Sequence, residues 1–205
     1  MLHPYNSSQR GMTLVELLVS VALFTLLMFV VTTGIQQMYT YNAYTFAQAY
    51  QVQNARLGMQ AFIRDVREMT FADNGTFPLA VMEADRIGFY SDIDRDDSVE
   101  YVEFAYDAPT TVVKYIYNAT GSPPTYDTST PDETITLSRY VQNDLQSTST
   151  FFYYDASGGA VTNPSNITDV RYIEAQIIVN IDPVRDPGQF MLRSSAALRN
   201  VQENI

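Results

Sequence analysis

The stretch Asp92-Ile93-Asp94-Arg95-Asp96-Asp97-Ser98-Val99-Glu100-Tyr101-Val102-Glu103 is spaced for a chemical task. Acids stand at its positions 1, 3, 5, 9 and 12, with Val99 at position 8, which is the spacing of a calcium loop. On that reading Asp92, Asp94, Asp96 and Glu103 are the side-chain ligands of Ca²⁺, and Ser98 offers its backbone carbonyl. Position 6, where such loops carry Gly, is Asp97, and the flanks read as strands, so this is no EF-hand. Between Glu83 and Asp107 nine acids meet two arginines, a local charge of −7. Such crowding is unfavourable unless water or a cation relieves it. A solvated hairpin turn and a Ca²⁺ site are the two readings left open. Asp92 and Glu103 could also pair as glycosidase carboxylates, but no substrate cleft is marked in the sequence.

Elsewhere the chain is poor in reactive groups. Among its 205 residues there is no Cys and no Trp, the only His is His3 and the only Lys is Lys114. Thiolate nucleophiles, disulfides and Cys or His metal sites are thereby excluded, and most enzyme classes go with them. The net charge of −11, with no basic cluster to offset it, argues against nucleic-acid binding.

A second acid stands in an unusual place. Glu16 is the last charged residue before Arg56, and it lies within the apolar run Met12–Ile35. As a helix those residues span roughly 36 Å, enough to cross a hydrocarbon core of about 30 Å. A cleaved secretory signal would use Arg10 and the small residues Thr32-Thr33-Gly34, but the run is too long for one. A plain signal anchor fits the length. Neither explains Glu16, because a carboxylate at that depth costs about 2.5–3.5 kcal/mol unless it has a partner.

The stretch Arg10-Gly11-Met12-Thr13-Leu14-Val15-Glu16-Leu17-Leu18-Val19-Ser20 resembles the class III signal of type IV pilins and type II secretion pseudopilins. The resemblance implies that prepilin peptidase removes residues 1–11 after Gly11 and that Met12 becomes the N-methylated first residue. It further implies that Glu16, fifth in the mature chain, sets subunit register by pairing with a neighbour's N-terminal amine. Two charges brought together in lipid offset each other's desolvation. Met12 stands where the family most often has Phe. Loss of the leader removes Arg10 and moves the net charge from −11 to −12.

The elements beyond the membrane follow from periodicity. Val52, Ala55, Met59, Phe62, Val66 and Met69 step by three and four, predicting that the helix continues amphipathically over 36–72. Arg56, Arg64, Asp65, Arg67 and Glu68 fall mostly off that stripe, and Asp73-Asn74-Gly75 is the expected stop. Strands are expected over 86–91, 99–107, 111–118, 133–142, 150–155, 170–181 and 190–201, with exposed loops at 120–132 and 182–188. The expected fold is α+β and pilin-like: a long N-terminal helix packed on a mainly antiparallel β head at 73–205.

Phe89-Tyr90-Ser91-Asp92, Phe152-Tyr153-Tyr154-Asp155 and Leu198-Arg199-Asn200-Val201 resemble J-type minor pseudopilins and W-type minor pilins. Thr33 stands where major pilins often carry Pro, and no disulfide can form, which favours a minor subunit, or a lineage that does not use disulfides, over a typical major pilin. The resemblance implies a structural, non-enzymatic subunit, single-pass in the bacterial inner membrane with its head outside, and then part of an extracytoplasmic filament. Its partners would be prepilin peptidase, other pilins or pseudopilins, and the assembly platform. The alternative is a membrane-tethered binding module or adhesin with an acidic, calcium-binding head.

Overall fold

A computed structural model describes residues 11–107, 109–185 and 188–198, in two compact units divided between Phe46 and Ala47. One helix, α1 (Leu14–Arg67), belongs to both. The first unit is its apolar part, from which Leu14, Leu17, Phe24, Leu27 and Phe29 point outward and exposed. It is long and apolar enough to cross a membrane. Its threonines carry no loose hydroxyls there: Thr25, Thr32 and Thr33 donate to the carbonyls of Val21, Met28 and Phe29 at 2.8–2.9 Å. That back-bonding satisfies each hydroxyl within the helix, which lowers the cost of placing it in hydrocarbon.

The second unit packs the rest of α1 against two antiparallel sheets. The larger has the order β1-β2-β3-β4-β7, from β1 (Leu79–Met82), β2 (Arg86–Ser91), β3 (Glu100–Asp107), β4 (Thr111–Tyr117) and β7 (Glu133–Ser138). The smaller has the order β10-β9-β8, from β8 (Phe151–Tyr154), β9 (Tyr172–Val179) and β10 (Phe190–Ala197). A two-stranded ribbon, β5 (Ala119–Thr120) with β6 (Thr125–Tyr126), begins one residue before the predicted loop at 120–132 and occupies its first half. The α+β layout is the expected one.

As far as Val66 the predicted stripe is the core face of α1, and Met69 extends it just past the helix end. Ala55, Met59, Phe62, Val66 and Met69 are buried, with Val52 packed against them. Phe62 reaches both sheets, its ring centroid 5.1 Å from Phe104 on β3 and 5.5 Å from Phe151 on β8. Gly58 lets the helix approach β7, since a Cβ there would meet the Leu137 Cβ at 2.9 Å and its carbonyl oxygen at 3.0 Å. The opposite face of the large sheet carries a second, tyrosine-rich cluster of Tyr90, Tyr101 and Tyr117, joined by Tyr126.

Expectations are corrected at four places. The helix ends at Arg67, not at Asp73, because Thr70 donates its amide to the Tyr90 carbonyl and Met69 bridges to Ser91, so β2 captures the backbone. Asp65, placed off the stripe, is buried and pairs with Lys114 on β4, Nζ to Oδ2 2.7 Å. Strand β1 follows Pro78 and is four residues long, too short to show alternation. The expected strand at 190–201 ends at Ala197, and residues 199–201 lie outside the described residues.

Candidate functional site

Two sites were expected, and both are built by local backbone rules. At the N-terminal one, Gly11 and Met12 precede α1 and are exposed. Residues 1–10 of the expected leader lie outside the described residues. Glu16 closes the first turn: its Oε2 accepts from the Thr13 amide and the Thr13 hydroxyl, both at 3.1 Å. The Glu16 amide in turn donates to Thr13 Oγ1 at 3.3 Å. This reciprocal arrangement is a capping box, Thr at the N-cap and Glu three residues on. The carboxylate also sits where the helix dipole favours a negative charge. Thr13 was not among the expected site residues, although Thr-x-x-Glu ahead of an apolar run was a legible signal for it.

At the acidic hairpin between β2 and β3, the structure brings together a different set from the one spacing suggested. Carboxylate oxygens of Asp92, Asp94 and Glu100 lie within 4.8 Å of one another. Glu100 is 4% exposed, and its Oε2 accepts the Ile93 amide at 2.7 Å. Burial pushes its carboxyl above the ordinary value, opposed by that hydrogen bond and reinforced by the charges of Asp94, Asp92 and Asp96. Asp92 also accepts from the Arg95 amide at 2.7 Å, and Asp96 from the Ser98 amide at 2.9 Å. Arg95 and Asp97 take positive φ of 63° and 69°, so the chain turns at position 6 as a calcium loop's Gly would.

Glu103 stands apart. On a strand of period 2, residues three apart face opposite sides, so Glu103 cannot share the face of Glu100. It faces the tyrosine cluster, accepting from Tyr101 Oη at 3.3 Å and lying 3.6 Å from Arg86 Nε. That neighbouring charge, after burial, helps to push the Tyr101 phenol well above its usual range. The spacing reading fails at position 12 because it assumed a loop where β3 has already begun. The loop is anchored to the rest of the head by Arg95 on Glu68 at 3.2 Å and by the Val99 amide on Asp73 at 3.1 Å.

With Gly11, Met12 and the Glu16 cap placed, the comparison with protein families bears directly on them. Residues 6–32 match the prokaryotic N-terminal methylation motif. All three residues lie within the match, and the motif supports a class III prepilin signal of the type IV pilin kind. It supports a pilin- or pseudopilin-type subunit, structural rather than enzymatic, that is processed by prepilin peptidase and assembles with other pilins. Together with the apolar part of α1 it supports anchoring in the inner membrane. No curated protein and no solved structure matches the chain.

Proposed function

We propose that the chain is a minor pilin-like subunit of a type II secretion pseudopilus or a type IV pilus, closest in kind to the J-type pseudopilins or W-type pilins. Prepilin peptidase cuts after Gly11, Met12 is N-methylated, and residues 12–35 hold the subunit in the membrane and later form filament core. Residues 36–67 continue as the amphipathic spine, and the chain beyond them forms a head that lies outside the membrane. Glu16 sets register with the amine of a neighbouring subunit. The assembly platform then extracts the subunit into the filament. The observation that carries this reading is the methylation motif at residues 6–32, which leads into an apolar helix that runs on as the buried spine of a β head. The absence of Cys and Thr33 at the 22nd mature position support a minor subunit over a major one.

Intact-mass and N-terminal peptide analysis of membrane-extracted protein tests this. The expected first residue is Met12 carrying a methyl group. A chain beginning at Met1, or near Ile35, overturns the reading in favour of an anchor or a secreted signal.

A further inference from the structure

We propose that Asp92, Asp94 and Glu100, with the Ser91 hydroxyl, form a Ca²⁺ site at the root of the β2–β3 hairpin. Converging acids alone do not make a site, and the independent observation is Ser91. The core-facing rungs between β2 and β3 are Ile87 with Phe104, Phe89 with Val102, and then Ser91 with Glu100. Two apolar rungs are thus followed by one made of a hydroxyl and a carboxylate, all six residues buried. The Ser91 hydroxyl has no hydrogen-bond partner among the described residues. Directly paired residues leave an antiparallel sheet on the same face with Cβ atoms about 5 Å apart, so Ser91 points to the side from which Glu100 joins Asp92 and Asp94. A buried hydroxyl and a buried acid at the end of an apolar ladder cost stability without a ligand that uses both. A hard cation with oxygen ligands is that ligand.

The oxygens of the three carboxylates lie within 4.8 Å of one another, close enough for one ion to bridge them. Chemistry selects which cation: Mg²⁺ demands near-ideal octahedral geometry and sheds its water reluctantly, whereas a hairpin of irregular oxygen donors suits Ca²⁺. Calcium accepts six to eight oxygens in irregular geometry, so carbonyls of the turn and water complete the shell. Asp96 is not in the converging set, and Glu103 is excluded by strand parity. The ligand set therefore keeps Asp92 and Asp94 of the twelve-residue spacing and replaces Asp96, Ser98 and Glu103 with Glu100 and Ser91. Calcium would tie the hairpin to the core side of β2 and β3. The proposal is independent of the filament reading.

The test uses the full chain in detergent micelles, stripped with EDTA, with CaCl₂ and MgCl₂ as probes. Thermal unfolding by circular dichroism is expected to shift upward by several degrees in millimolar Ca²⁺ and much less in Mg²⁺. Asp94 is exposed, so Asp94→Asn should keep the fold and abolish the shift. Glu103→Gln should keep the shift. Ser91→Ala should leave the metal-free melting temperature unchanged or higher and shrink the calcium shift. Equal shifts with both ions mean a diffuse acidic patch and overturn the site, as does no shift with either. A full calcium shift in Ser91→Ala, or its loss in Glu103→Gln, overturns the ligand set.

Discussion

Thr13 and Glu16 cap each other at the start of α1, the carboxylate taking both the amide and the hydroxyl of Thr13 at 3.1 Å. Glu16 is therefore satisfied within its own subunit before any neighbour arrives. On the proposed reading, pairing with another subunit's amine would exchange a local partner for a distant one.

This separates two roles by mutation. Glu16→Val should leave membrane insertion intact or improved, since it removes a charge from the apolar run, yet impair incorporation into filaments. Thr13→Ala removes the cap at a local cost of about 0.5–2 kcal/mol but keeps the carboxylate, so incorporation should persist. Fractionation into membrane and sheared filaments reads both. Normal incorporation of Glu16→Val would show that the acid serves only its own helix.

The buried pair of Asp65 and Lys114 ties α1 to β4, and Arg64 lies 3.1 Å from the other oxygen of the carboxylate. Breaking such a pair on one side costs about 3–5 kcal/mol, because a charge is left buried without its partner. Asp65→Ala should therefore lower the melting temperature sharply by stranding Lys114. Lys114→Met should cost less, since Arg64 still reaches Asp65. The double variant Asp65→Leu with Lys114→Met should recover most of the loss, as seen by circular dichroism. Additive losses in the double variant would show that the two residues act separately.

Glu100 makes stability depend on pH. Below its ordinary value near 4.5 the carboxyl is protonated in the folded and unfolded chains alike. As pH rises from there to the raised folded value, the unfolded chain ionises first and binds fewer protons, so stability is lost. In metal-free buffer, wild type should lose denaturant midpoint relative to Glu100→Gln across that window, and added CaCl₂ should restore it. Parallel midpoints for the two proteins would contradict this.

Much of the fold was legible because its patterns are periodic. The stripe from Val52 to Met69 predicted the buried face of α1, and the strands from Arg86 to Tyr117 fell within a residue of their expected bounds. What escaped was set by long-range pairing. Nothing local shows that β2 will claim Thr70 and Met69 and end the helix early, or that Lys114 will reach Asp65 across 49 residues. The acidic stretch was visible as composition and turn, but its geometry depends on where β3 begins. One residue of register decides whether Glu100 or Glu103 meets Asp92.

The burial of Lys114 bears on how the molecule meets amine-reactive reagents. It is the only lysine, and its side chain is 4% exposed and held by Asp65. In the native head an N-hydroxysuccinimide dye therefore finds no open lysine. Unfolding releases that amine. Labelling of Lys114 thus becomes a built-in count of opened molecules.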